Sequence, residues 1–147
     1  MAYYVLFDTE TTGASQEDRV IQFGSLIVDQ KGNIEAFDEL CSSDVAIKLE
    51  AMEVHNITPN LLENKPKAVD TKFYKRLQEL NSSENFLIAH NINFDLDRVT
   101  NSENAVHLKL KLKKSISNRF KIAFGSDYFI TKFDEDFKQR YNVIGNS

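Results

Sequence analysis

The 147-residue chain has a single cysteine, Cys41, and only three histidines, His55, His90 and His107. One thiol excludes an intrachain disulfide, and without a Cys/His cluster no structural zinc site is expected. No apolar run is long enough to cross a bilayer, and the start lacks a basic segment leading into an apolar one. These absences predict a cytoplasmic protein with no membrane association. There is also no internal repeat and no long linker. The length fits one domain, 1–147, able to bury a sizeable core, and the apolar and charged fractions are those of a soluble globular chain.

Charge is unevenly spread. Residues 1–97 hold 8 Lys/Arg against 17 Asp/Glu, whereas residues 98–147 hold 10 against 5. An acidic part can hold cations and a basic part can meet phosphate, although a solvated basic face explains the second half equally well.

The pattern begins with strands. Tyr3–Phe7 is apolar and aromatic, Val20–Asp29 is a long β-type run, and Ile34–Leu40 returns after a Lys31-Gly32-Asn33 turn with Ile34, Ala36 and Phe37 as inward candidates. This predicts a three-stranded antiparallel meander. The period then changes. Short helices are expected at 48–54 and 59–62, and Val69, Phe73, Leu77 and Leu80 predict an amphipathic helix over 69–80. Phe86–His90 reads as a further strand, with Asn91 as N-cap of a helix beginning at Asn93. The order βββ-α-β-α means an α/β fold, a mixed sheet with flanking helices. Beyond Asp97 the alternation from Leu108 to Lys113 suggests an edge strand, and residues 121–133 show no clear period.

The chemistry concentrates where the first strand ends, in Phe7-Asp8-Thr9-Glu10-Thr11-Thr12-Gly13. Residues two apart in a strand share a side, so Asp8 and Glu10 can converge. A lone Asp-x-Glu usually lies on a solvated turn, but like charges at a buried strand end are costly unless something positive holds them, and hard oxygen donors suit Mg²⁺ or Mn²⁺. His90-Asn91-Ile92-Asn93-Phe94-Asp95 repeats the logic, offering Asp95 from the first turn of a helix. A third carboxylate beside Asp8 and Glu10 would form a cradle for two ions, which stabilise the attacking and leaving oxygens of an in-line phosphoryl displacement.

Together these motifs resemble the DEDD exonucleases, with the proofreading (epsilon) subunits of bacterial DNA polymerase III most similar in look. Glu53-Val54-His55-Asn56-Ile57-Thr58 adds a third match, to that family's Val-His-Gly-Ile-Thr segment. The resemblance covers residues 3–97. It implies an RNase H-like fold and two-metal 3′→5′ hydrolysis of single-stranded DNA or RNA ends, with a DNA polymerase subunit as a further partner. Asp8, Glu10 and Asp95 would be catalytic and metal-binding. Thr9, Thr11, His55 and Phe94 would lie at the terminal nucleotide, and Asn91 would cap the helix that presents Asp95.

The family's later motif, His-x-Ala-x-x-Asp or Tyr-x-x-x-Asp, is missing. His107 is followed five residues on by Leu112, Tyr128 four on by Lys132, and Tyr141 four on by Gly145. His107 is a weak candidate for the general base, and Asp127, Asp134, Glu135 and Asp136 are weak candidates for the fourth carboxylate. Residues 98–147 are therefore expected to be a divergent or incomplete ending. The alternative function is a catalytically weakened module that binds nucleic acid or nucleotides on the same fold.

Overall fold

In the computed structural model, residues 2–100 and 113–116 are described, Thr100 and the last four by backbone alone. Five strands form one mixed sheet in the order β3-β2-β1-β4-β5. They are β1 (Tyr3–Thr11), β2 (Val20–Asp29), β3 (Ile34–Leu40), β4 (Phe86–Ala89) and β5 (Lys113–Ile116). The first three make the expected antiparallel meander, and β4 then pairs in parallel with β1 and β5 with β4. β2 is buried almost throughout because it lies inside the sheet and is covered on both faces. Of the alternating segment 108–113, only Lys113 lies within the described residues, and β5 begins there.

The larger core lies on the face that carries Val5 and Phe7 of β1, against Phe73, Tyr74 and Leu77 of α2 (Lys72–Glu79) and Ile92, Leu96 and Val99 of α3 (Ile92–Thr100). The opposite face gathers Leu6, Leu26, Val28 and Ile88. Phe73 is fully buried at the centre of an aromatic group, its ring 5.2 Å from Phe23, 5.9 Å from Phe37 and 6.2 Å from Phe7.

Local chemistry moves two boundaries. The expected helix over 69–80 is divided. Residues Ala68–Asp70 form a 3-10 turn, and α2 starts only after Thr71, whose Oγ1 accepts from the Tyr74 N–H at 3.2 Å. A capping hydroxyl outweighs the continuous apolar period. The Glu39 carboxylate on β3 then takes the Lys72 and Phe73 N–H groups at 3.1 and 2.7 Å, which favours a negative charge at that helix start. Ala36, expected to face inward, is exposed on the outer strand β3; Phe37 and Ile34 pack on opposite faces of the sheet. The short helix α1 (Leu49–His55) and a 3-10 turn at Pro59–Leu62 form as expected. Among the described residues no helix is long and apolar enough to cross a membrane.

Replacing Phe73 with Ala should lower stability by about 3–5 kcal/mol, because the site between sheet and helix cannot collapse around the void. Denaturant unfolding of the two proteins measures it, and a loss below about 1 kcal/mol would contradict this account of the core.

Candidate active site

The site forms where β4 leaves β1. The parallel ladder pairs Tyr4, Val5 and Leu6 with Phe86, Leu87 and Ile88, and the chain then turns into α3. Side-chain oxygens take over at both ends. At the start, the Tyr3 N–H donates to Asn85 Oδ1 at 2.9 Å. At the far end, Asp95 Oδ1 accepts from the Thr9 N–H at 3.2 Å and from Thr9 Oγ1 at 2.6 Å. Asp95 thus occupies the strand edge that β4 vacates, and it is 2 % exposed. Its own N–H donates to the Asn91 carbonyl at 3.2 Å, the first bond of the helix, which puts Asn91 at the N-cap position.

Asp8 and Glu10 are half-buried and alternate with Phe7 and Thr9, so they share the side of β1 that carries Tyr4 and Leu6. The three acids are close enough to disturb one another. Burial raises Glu10 to about 7, with Asp8 adding repulsion. Burial likewise raises Asp95 to about 7, aided by Asp8 and Glu10 and opposed by the Thr9 hydrogen bonds. Asp8 is raised by burial too, against the Thr9 amide and the charge of the exposed His90. As they stand, no three His, Cys, Asp or Glu side chains among the described residues are arranged to hold a metal ion. The reason is geometric: two acids leave one face of β1 while the third lies at its edge with one oxygen engaged by Thr9. The donor set nevertheless fits a hard divalent cation, because partly buried carboxylates that repel one another gain most from one.

The loop after Glu10 is tightly fixed. Four successive carbonyls each accept a hydrogen bond from a different direction: Thr11 from His55 Nε2 at 3.0 Å, Thr12 from the Lys48 N–H at 2.8 Å, Gly13 from Thr11 Oγ1 at 2.7 Å, and Ala14 from Arg98 Nη2 at 2.8 Å. His55 Nδ1 accepts from the Ile57 N–H at 3.0 Å, so the ring proton lies on Nε2. Both ring nitrogens of His55 are thereby engaged within the protein. Asn56 follows in the left-handed region at φ 58°. Asn tolerates that conformation where the resembled segment has Gly, so the departure leaves the turn intact. Phe94 is half-buried, with the Arg98 guanidinium 4.6 Å from its ring centre.

Asp18, which the sequence reading passed over, organises the same loop. It is 1 % exposed. Its carboxylate accepts from Thr12 Oγ1 at 2.9 Å, the Ser15 N–H at 2.8 Å, Ser15 Oγ at 2.7 Å and Lys48 Nζ at 2.7 Å. Burial pushes its pKa up, but Lys48, Ser15 and Thr12 together hold it well below the usual carboxylate range. A Cβ on Gly13 would come within 2.5 Å of Asp18 Oδ2 and 2.6 Å of Lys48 Cδ, so this close approach requires glycine. In sequence, Asp18 stands in a polar stretch after Glu17 and Lys48 at the foot of an exposed helix, and neither position carries a periodic signal. His107, Asp127, Asp134, Glu135 and Asp136 lie outside the described residues.

Two pH dependences follow, with opposite signs. Glu10 and Asp95 titrate higher in the folded chain, so their contribution is full below the ordinary carboxylate pKa and is lost as pH rises through about 7. Melting of the metal-free protein should therefore fall between pH 5 and 8, less steeply in Asp95→Asn; equal slopes would show that Asp95 does not titrate higher in the folded chain. Asp18 titrates lower when folded, so its stabilisation is present above the ordinary carboxylate pKa and fades toward strong acid. Asp18→Asn should cost about 2 kcal/mol at pH 7 and progressively less in acid, read from denaturant midpoints; a penalty independent of pH would refute the charge-based account.

Residues 5–124 match the family model RNase_T, described as exonuclease. The chain is 32% identical over 126 residues to the DNA polymerase III subunit epsilon of Treponema pallidum, covering 82% of this chain and 54% of that protein. It is 27% identical over 132 residues to the 3′-5′ exonuclease DinG of Staphylococcus aureus, covering 86% of this chain and 14% of the relative. The chain thus spans about half the length of the epsilon relative and a small part of DinG. Among solved structures, E. coli exonuclease I in complex with a dT13 oligonucleotide superposes with a TM-score of 0.61 at 20% identity, over 79% of this chain and 28% of that one. That likeness identifies the architecture as the expected RNase H-like mixed sheet. With its first-strand acids, its Asp95 helix and a family match across most of its length, the chain belongs to the exonuclease family.

Proposed function

We propose that this chain forms one exonuclease domain that removes nucleotides from the 3′ ends of single-stranded DNA by metal-dependent hydrolysis. The observation that carries the reading is the edge position of Asp95, which brings a third acid into electrostatic reach of Asp8 and Glu10. The epsilon and DinG relatives and the oligonucleotide-bound neighbour support it. Asp8, Glu10 and Asp95 would hold Mg²⁺ or Mn²⁺, and two such ions supply an activated water and neutralise charge on the displaced oxygen.

The chain's own residues do the rest. Thr9 fixes Asp95 through two hydrogen bonds and leaves its second oxygen available to a ligand. Thr11 and His55 shape the loop wall beside Glu10, where the terminal nucleotide would lie, and Phe94 gives that end of α3 an apolar surface. Asn91 starts the helix that carries Asp95. The basic composition of residues 98–147 suits phosphate binding. A DNA polymerase subunit is the partner that the epsilon relative suggests, and the cytoplasm is the compartment that such substrates imply.

The test is digestion of a 3′-labelled single-stranded oligonucleotide, DNA and RNA in parallel, with Mg²⁺, Mn²⁺ or EDTA. Metal-dependent shortening of DNA is expected, and Asp8→Ala should slow it by about 100-fold or more. Salt-sensitive binding of the strand without metal-dependent shortening would replace this reading with that of a binding module. Removing the metal should also lower the melting temperature near pH 8, where the acids are charged; no such shift would count against Asp8, Glu10 and Asp95 as its ligands.

A further inference from the structure

Arg98 is a costly residue in its place. It is 4 % exposed, one turn beyond Asp95 on α3. Its Nη2 donates to the Ala14 carbonyl at 2.8 Å, and its guanidinium carbon lies 4.6 Å from the centre of the Phe94 ring. Its Nε is buried and has no hydrogen-bond partner among the described residues. A buried guanidinium with an unsatisfied N–H is unfavourable for folding, and an apolar side chain of similar volume would usually be neutral or better. A compensating role is therefore to be sought in what the side chain connects.

It connects two parts of the site that are distant in sequence. Ala14 ends the loop that continues from Glu10, and Phe94 precedes Asp95. Two other ties on that loop come from α1: His55 and Lys48, at its two ends, hold the Thr11 and Thr12 carbonyls. Arg98 joins the loop's far end to the helix of Asp95 through a side chain. Its flat guanidinium suits the task, since it stacks on a ring and donates along its edge at once.

We propose that Arg98 is a positioning residue that clamps the Thr11–Ala14 loop against α3 and so fixes the wall beside Glu10 relative to Asp95. Its kinetic consequence rests on the exonuclease reading, whereas its structural consequence does not. Loss of the clamp leaves Asp8, Glu10 and Asp95 in place but lets the wall move, so it should weaken the hold on the strand more than the chemical step.

The experiment compares the full chain with Arg98→Met, which keeps the apolar stem, and Arg98→Lys, which keeps the charge and one donor. Amide hydrogen exchange is read at residues 11–14 and, as a reference, along β1 at residues 3–7. Steady-state shortening of a single-stranded oligonucleotide with Mg²⁺ is read alongside. For Arg98→Met, exchange should rise selectively in the loop and KM should rise about tenfold, with kcat within about threefold of the parent. Arg98→Lys should recover part of both effects. Unchanged loop exchange and KM would overturn the proposal, as would faster exchange throughout β1 with a fall in kcat alone, the mark of a merely structural residue. Should Arg98→Met not fold, Arg98→Lys decides by the same readings at intermediate size. If the parent protein does not shorten the strand, the exonuclease reading fails, and the exchange comparison still decides the clamp.

Discussion

The bond on which the site depends is the one between Asp95 and Thr9. A parallel strand pair that ends leaves the N–H groups of the longer strand without partners, and a buried N–H without a partner costs free energy comparable to a lost hydrogen bond. In this chain β4 stops at Ala89 while β1 continues to Thr11. A carboxylate from the next helix takes the orphaned Thr9 N–H, and the Thr9 hydroxyl adds a second donor. A requirement of sheet termination thereby also fixes where α3 sits. With Ile92, Leu96 and Val99 packed into the core, the same helix carries Asp95 to the edge of β1.

That solution creates the next problem. The carboxylate that satisfies Thr9 is buried close to Asp8 and Glu10, and all three are raised from their ordinary values, chiefly by burial. A site organised only for stability would contain an amide or a hydroxyl there. Acids that oppose ionisation in the free protein are the arrangement expected where a cation is to be bound, because the cation then relieves a penalty built into the fold. The hydrogen bonds from Thr9 act against the penalty and hold Asp95 in place.

Much of this was legible in sequence, and the limits of legibility have physical causes. The meander, β4 and the two acidic motifs follow from short-range pattern: apolar runs, a Lys-Gly-Asn turn, acids two apart on a strand and an acid in a helix's first turn. The edge position of Asp95 depends on where two strands distant in sequence stop pairing, and no local pattern encodes that. The division of the 69–80 helix depended on one hydroxyl, at Thr71, competing with an apolar period that continued past it. The bonds that His55 makes to the Thr11 carbonyl and the Ile57 N–H join segments far apart or turned back on each other, and no local pattern shows them. Asp18 and Arg98 were missed because charged residues are ordinarily solvated, and only three-dimensional structure reveals the buried groups that hold them.

Those two missed residues explain how a loop of small polar residues can be rigid. Thr11–Ala14 has little apolar surface to bury, so the hydrophobic effect cannot fix it. Its order comes from saturating the carbonyls one by one and from a buried carboxylate, Asp18, that gathers Thr12, Ser15 and Lys48. Gly13 is required because this convergence leaves no room for a Cβ. The glycine of the Thr-Thr-Gly turn is therefore explained by a partner five residues later, and not by backbone conformation. A wall made this way is fixed by polar contacts at its own positions, so small changes at Arg98 or Lys48 can retune it while the sheet and its three acids stay where they are.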